Sequence, residues 1–255
     1  MKWLGLILLA LLIVYLFAAL LLYIKQRDLL YFPSAPVVHS YKTMILTNQG
    51  EQISITITNP GRDKALIYWG GNGEAVAAGA AIFEKELPDY STYLVDYRGY
   101  GRSTGIPTEA GILSDALALY DKIKGQHHNI SLFGRSLGSG VACFVAAERE
   151  VDRLVLITPY DSVESIARDR YPFFPLSLMI KDKYDSLRSV PHIKAKTIML
   201  IAENDTMIPK RHAYHLAAQF PKDQITVHEI HGCHHNNIAE TEAYHSILKE
   251  FFNER

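Results

Sequence analysis

The stretch "NISLFGRSLGSGVACFVAAERE", residues 129–150, sets an apolar run against a helical one, with a glycine-flanked serine between them. Residues 130–133 have the continuous apolar character of a short buried strand, and from Leu137 onward small and apolar residues suit a helix packed on a sheet. Between them stands Gly134-Arg135-Ser136-Leu137-Gly138, a G-x-S-x-G. A strand that turns this sharply into a helix holds the middle residue in a strained backbone. Flanking glycines are then needed because a Cβ would strike neighbouring chain. The pentapeptide alone is common by chance, and its weight here comes from the strand before it and the helix after it. The Ser136 hydroxyl is expected to stand exposed above the sheet, whereas Ser139, three positions on, falls inside the helix.

Working outward, "KALIYW", "STYLVDY", "NISLF", "RLVLIT" and "TIMLIA" read as short apolar strands that alternate with helical patterns over residues 74–86, 109–124 and 210–219. Such interleaving predicts an α/β fold, a mostly parallel sheet with helices on both faces. Upstream, "TMILT" and "QISITIT" read as a strand pair around Asn48-Gln49-Gly50, with Ile53, Ile55 and Ile57 alternating against Ser54, Thr56 and Thr58. A last strand, "QITVHEI", precedes a final helix over about residues 238–252.

The chain has 255 residues, with 26 Lys and Arg against 27 Asp and Glu. After the first thirty or so residues this suits one domain with a large core, and no basic excess points to nucleic acid. Cys143 and Cys233, the two cysteines, make no disulfide framework. Residues 4–24, "LGLILLALLIVYLFAALLLYI", contain no charged side chain. At 1.5 Å per residue they extend about 31 Å, the thickness of a bilayer's hydrocarbon core. Trp3 and Tyr23 fall near the ends, where interfacial aromatics belong. A cleaved signal peptide has a shorter apolar run and small residues at a cleavage spacing, so the reading is a single-pass membrane anchor. Lys2 on one flank and Lys25 and Arg27 on the other assign no side of the membrane, and composition assigns no oligomeric state. Residues 1–28 are expected to be anchor and flank, adding nothing to the core. Residues 29–255 are expected to be the globular domain, with a short cap at about 161–195.

In parallel sheets, function collects at the carboxyl ends of strands. Besides the Ser136 turn, those ends carry Trp69-Gly70-Gly71-Asn72-Gly73, Glu203-Asn204-Asp205 and His231-Gly232-Cys233-His234-His235. A serine hydroxyl needs a base to take its proton, and the imidazole of that base needs a carboxylate to fix its tautomer. Ser136, Asp205 and His235 supply the three groups. Asp161 also follows a strand, but "ENDTMIP" offers a loop directly between a buried strand and a new helix, which favours Asp205. Chemistry does not separate His234 from His235. The oxyanion of an acyl-transfer intermediate needs two amide donors, and the candidates are Leu137, after the serine, and Asn72, in the glycine-rich loop.

Two other chemistries are weighed and set aside. The cluster of His228, His231, Cys233, His234 and His235 invites zinc, but it mixes a strand end with a turn and lacks paired ligand spacing. "GNGEAV", residues 71–76, with Asp96 after the next strand, has the spacing of a dinucleotide fingerprint. It has Val76 in place of the third glycine, and Glu74 puts a carboxylate where the pyrophosphate would sit. No cofactor and no metal are expected.

The segments "LLYFPS", "YWGGNGE", "DYRGYGRSTGIPTEAGILSDA", "NISLFGRSLGSGVA", "ENDTMIP" and "HGCHHNNI" occur in the order found in the α/β-hydrolase superfamily. Within it the chain resembles membrane-anchored abhydrolase-domain proteins with a serine-aminopeptidase-like core. The resemblance implies an α/β-hydrolase fold preceded by one transmembrane helix. It puts the catalytic serine on Ser136, the acid on Asp205 and the base on His235. It implies hydrolysis of an ester, thioester or amide, with an acyl or lipid-like substrate favoured; a catalytically silent fold used as an interaction module is the alternative. The family's oxyanion loop usually reads His-Gly-Asn, whereas Gly70 stands here in place of the histidine. Between Asp96 and Gly105 the glycines, Arg98 and Arg102 are expected to organise a loop beside that site. In the cap, Tyr171, Phe173, Phe174 and Leu176 are candidates to bind an acyl chain or to cover the core.

Overall fold

The computed structural model describes residues 2–253. Eight strands, β1 (Lys42–Asn48), β2 (Glu51–Thr58), β3 (Lys64–Trp69), β4 (Tyr90–Val95), β5 (Asn129–Arg135), β6 (Arg153–Ile157), β7 (Lys196–Ala202) and β8 (Ile225–Ile230), form one sheet in the order β1-β2-β4-β3-β5-β6-β7-β8. The β1–β2 and β2–β4 pairs are antiparallel and all the others are parallel. The β1–β2 turn places Gln49 at φ 53° and Gly50 at φ 82°. Both central residues of a two-residue hairpin turn of matching twist require that left-handed backbone.

Helices α1 (Lys2–Leu30), α2 (Ala80–Glu86), α3 (Glu109–Ile123), α4 (Leu137–Glu148), α5 (Val163–Arg170), α6 (Leu176–Met179), α7 (Ser186–Ser189), α8 (Lys210–Ala217) and α9 (Glu242–Asn253) complete the chain. Ile112 and Leu119 of α3, Val141 of α4 and Leu216 of α8 bury one sheet face together with Ile53, Ile55 and Ile57. Ala80 of α2 and Tyr244, Leu248 and Phe251 of α9 bury the other. Ser54, Thr56 and Thr58 are buried as well, so β2 is covered on both sides although its sequence alternates.

Two helix starts differ from the sequence reading. The pattern over residues 74–86 resolves into a 3₁₀ turn, Val76–Gly79, and then α2, because the carboxylate of Glu74 is turned back into the preceding loop. Likewise a separate 3₁₀ turn, Ile238–Glu240, precedes α9. At the other end of the chain α1 runs to Leu30, so a boundary at residue 28 falls inside the helix. This helix is long and apolar enough to cross a bilayer.

From β3 the chain passes outward to β4, then returns to the other side of β3 as β5 and proceeds outward through β6, β7 and β8. The strand order therefore reverses between β3 and β5, and ligand crevices of open α/β sheets lie outside the carboxyl ends at such a reversal. In register, Trp69 at the end of β3 pairs with Gly134 of β5. The glycine-rich loop and the Ser136 turn are thus neighbours because of the topology.

Candidate active site

Ser136 sits between β5 and α4 with φ 50° and ψ −117°. For a residue bearing a side chain this backbone costs on the order of 1–3 kcal/mol. Its neighbours explain the glycines: a Cβ on Gly134 would come within 2.4 Å of the Gly138 carbonyl oxygen, and one on Gly138 within 2.0 Å of the Trp69 oxygen. The amide of Ser136 bonds the Ile157 carbonyl at 2.9 Å, which pins the turn to the end of β6. Ser139 lies buried in α4 and donates its hydroxyl to the Ser136 carbonyl at 2.6 Å.

The structure brings Ser136, His235 and Asp205 together. His235 Nε2 is 2.9 Å from Ser136 Oγ, and its Nδ1 is 2.7 Å from Asp205 Oδ2. An ionised carboxylate only accepts, so Nδ1 carries the proton and the lone pair of Nε2 faces the serine. The other carboxylate oxygen, Asp205 Oδ1, accepts the amides of Met207 at 3.0 Å and Ile208 at 2.8 Å, which fixes its orientation. His235 is buried, 4 % exposed. The β7 and β8 loops that carry the pair are tied by the Asn204 amide to the Cys233 carbonyl at 3.0 Å.

The rivals are placed elsewhere. Asp161 is buried among His212, whose Nδ1 is 3.0 Å from Oδ1, and His215, whose Nδ1 is 2.9 Å from Oδ2. It also accepts the Ser162 amide at 2.7 Å, at the head of α5. His212 Nε2 reaches Asp169 at 2.6 Å, so Asp161 serves to join the cap to α8. His234 points its Nδ1 at the Asn204 carbonyl, 3.0 Å away.

The loop after β3 is held by Glu74, which the sequence showed as a carboxylate opposed to a pyrophosphate and not as the loop's anchor. Glu74 accepts the Tyr68 hydroxyl at 2.6 Å, the Gly71 amide at 2.7 Å and the Arg135 guanidinium at 2.7 Å. Burial works against the Arg135 charge, but Glu74 beside it raises the guanidinium pKa. Gly71 lies against the serine, since a Cβ built on it would be 3.6 Å from Ser136 Cβ. With the Gly71 amide committed to Glu74, Asn72 is the next amide along the loop. The Asn72 side chain accepts from the Phe32 amide at 2.9 Å and the Tyr100 hydroxyl at 2.8 Å, and donates to the Leu30 carbonyl at 2.5 Å. The Tyr97 hydroxyl, kept protonated by burial, donates to the Gly70 carbonyl at 2.7 Å. These bonds fix the loop without a histidine at position 70. The Glu74 carboxylate itself occupies the Gly71 amide at the head of the "GNGEAV" turn. Arg98 pairs with Asp115 through two bonds of 2.8 Å, so it holds the Asp96 to Gly105 loop in place.

An apolar cavity of about 450 Å³ opens beside these groups, lined by Ser136, Leu137, Asn72 and His235 at one end. Tyr171 and Leu176 line it as well, together with Ile166 and Met179. Phe173 and Phe174 do not: Phe173 is 84 % exposed, and Phe174 stacks on Tyr15 of α1 with ring centroids 5.2 Å apart. More unexpectedly, Leu22, Gln26, Leu29 and Leu30 of α1 form part of the wall.

For metal ligation, the described residues offer one group outside this cavity, Glu203, Glu229 and His231, with ligand-type atoms within 4.8 Å of one another. Its carboxylates are already engaged, Glu229 by Lys210 at 2.7 Å and Glu203 by the Gly232 amide at 2.8 Å.

The sequence profile of the family described as serine aminopeptidase, S33, matches residues 67–176. An uncharacterized protein of Mycobacterium tuberculosis is 31 % identical over 224 residues, covering 80 % of this chain and 79 % of its own. The lysophosphatidylserine lipase ABHD12 of Bos taurus is 30 % identical over 191 residues, 64 % of this chain, and the match spans about half (48 %) of the length of that lipase. Among solved structures, the Pyrococcus furiosus esterase Pf2001 superposes with a TM-score of 0.70 at 19 % identity, over 87 % of this chain and 96 % of its own. The esterase Est1E of Butyrivibrio proteoclasticus, with ferulic acid bound, superposes with a TM-score of 0.67 at 18 % identity, over 82 % and 97 %.

Proposed function

Because the chain belongs to the α/β-hydrolase superfamily, with hydrolases, esterases and a lipase among its relatives, we propose that it is a membrane-tethered serine hydrolase that cleaves acyl esters. The observation that carries this reading is the chain Asp205–His235–Ser136, with both hydrogen bonds made at 2.7 and 2.9 Å, at the end of an apolar cavity. An apolar acyl group is favoured over a charged substrate because the cavity is lined mainly by aliphatic and aromatic side chains.

In the proposed reaction Ser136 Oγ attacks the ester carbonyl carbon while its proton passes to His235 Nε2. The carbonyl oxygen becomes an oxyanion facing the amides of Leu137 and Asn72. As the tetrahedral intermediate collapses, the C–O bond to the alcohol breaks and His235 returns the proton to that leaving oxygen. Water then gives a proton to His235 and attacks the acyl-enzyme, and the second collapse releases the carboxylic acid and restores the Ser136 hydroxyl. Asp205 stays ionised and stabilises the imidazolium that forms twice in each cycle. The helix α1, residues 4–24 in particular, is the proposed single membrane span that keeps the site at a lipid surface.

The test is mass spectrometry after fluorophosphonate treatment. An adduct is expected on the Ser136 peptide of the native protein and of Ser139→Ala, and none on Ser136→Ala. A folded protein that takes no adduct overturns the reading and leaves the fold as a silent interaction module.

A further inference from the structure

We propose that the face of α1 carrying Leu22, Gln26, Leu29 and Leu30 is one wall of an acyl-chain site, and that a single-chain lipid ester reaches Ser136 sideways, out of the bilayer leaflet, along this wall. The proposal rests on the hydrolase reading above. Leu22, Gln26, Leu29 and Leu30 lie at i, i+4, i+7 and i+8, one face of a helix, and all four line the cavity that ends at Ser136 and His235. The facing wall comes from α5 and α6, with Val163, Ile166, Leu176 and Met179. At 1.5 Å per residue, Leu22 is about 12 Å along the helix from Leu30. The end of the cavity remote from the serine therefore lies within the uncharged stretch that would sit in hydrocarbon.

The cap follows the same helix further. The Tyr15 hydroxyl bonds the Phe173 carbonyl at 2.9 Å, and the Tyr15 and Phe174 rings stack. A segment beside a membrane span must satisfy its own backbone donors. The amides of Tyr171, Phe174, Leu176, Leu178 and Ile180 all bond carbonyls within the cap, and Pro172 and Pro175 have no donor. Phe173 and Leu178 are 84 and 85 % exposed beside this helix, apolar surface that a leaflet would cover.

Polar contacts mark where the hydrocarbon would end. Gln26 donates to the Met179 carbonyl at 3.1 Å and accepts the Lys181 amide at 2.7 Å, and Arg27 pairs with Asp182. The Lys181 ammonium lies 4.2 Å from the centroid of the Tyr23 ring. Cationic and aromatic side chains at one level are what a headgroup region selects. Below that level the cavity leads to the serine, and above it the cavity follows the apolar helix.

The experiment uses the full-length protein in phosphatidylcholine vesicles, with 1-monooleoylglycerol in the bilayer as long-chain ester and 4-nitrophenyl acetate in the water as short one. Leu22→Trp and Leu29→Trp, which put bulk into the wall, are expected to lower the ratio of long-chain to short-chain kcat/KM at least tenfold. Ile24→Trp, on the opposite face of the helix and outside the cavity, is expected to hold that ratio within twofold. Equal ratios in all three variants and the native protein overturn the lateral route while leaving the hydrolase intact. A second readout is independent of turnover: a diazirine-bearing palmitate in the same vesicles should crosslink to residues 22–30 and 163–179. Crosslinks there without hydrolysis of either ester would sink the hydrolase reading and keep the lipid site; crosslinks confined to residues 4–20 would sink the site.

Discussion

Arg27, near the end of the apolar helix, is bidentate on Asp182, with Nε 2.7 Å from Oδ2 and Nη2 3.3 Å from Oδ1. The Asp182 side chain is only 4 % exposed, and its Oδ1 also accepts the Glu109 amide at 3.0 Å. Glu109 in turn accepts the amides of Lys183 and Tyr184, so one ion pair joins α1, the head of α3 and the end of the cap.

Arg27→Ala should therefore destabilise the globular domain as well as its attachment. Removing one partner of a buried pair costs about 3–5 kcal/mol, and because Arg27 is itself partly exposed the expected loss is about 2 kcal/mol. Deletion of residues 1–28 should cost more, since it also strips the cavity of Leu22 and Gln26. Thermal unfolding in detergent measures both. A deletion variant with the Tm of the full chain would bear out the expectation of an anchor that adds nothing to the domain.

Asp205→Asn should lower kcat by about 10⁴, because an amide nitrogen facing Nδ1 favours the wrong imidazole tautomer. Asp161→Asn should change kcat by less than tenfold and lower Tm instead, since Asp161 holds His212, His215 and the head of α5. Steady-state kinetics and melting curves of the two variants separate an acid that orients the base from one that ties the cap. The reverse pattern would place the acid after β6.

What the sequence disclosed and what it concealed have physical reasons. The Ser136 turn was legible because the backbone clash at Gly134 and Gly138 leaves a glycine signature in five residues. Asp205 was legible because it follows the buried strand β7, and His235 because it lies in the loop after β8, since the ends of parallel strands share one edge of the sheet. The Glu74–Arg135 pair was not, since its members stand 61 positions apart and no local pattern joins them. The wall in α1 left no signal either. Residues 4–24 are apolar on every side and offer no hydrophobic contrast, and Lys25 to Asp28 after them read as the charged flank of a span, so no inward face was marked.

Acid stability offers a separate check on the helix layer beside the sheet. Asp121 of α3 accepts from Arg149 at 3.1 and 2.7 Å and from Lys124 at 2.8 Å, and these partners lower its pKa from 3.8 to about 2. A carboxylate with a depressed folded pKa adds stability that is complete above its unfolded pKa and lost as pH falls through the folded one. The Tm difference between the native protein and Asp121→Asn should thus be positive and flat above about pH 5, shrink between about pH 4 and 2, and vanish below. A difference that persisted at the acid end would assign the effect to packing.

Glu74→Gln tests whether the loop after β3 must be held by a charge. The glutamine keeps the length and one acceptor oxygen, so it can still take the Gly71 amide. It cannot neutralise Arg135, whose Nη2 also approaches the His235 carbonyl and the Asn236 side chain at 3.4 Å. The guanidinium would then be left half-buried without its counter-charge, at a cost of about 2 kcal/mol in Tm-derived stability. Because the same loop carries Asn72, whose amide is the proposed donor to the oxyanion rather than to the ground-state ester, kcat should fall by about 10²–10³ while KM changes little. Loss of one oxyanion donor has that kinetic form, and loss of substrate binding does not. A Glu74→Gln enzyme with native kcat would show that the amide of Asn72 is either held in place without Glu74 or not used.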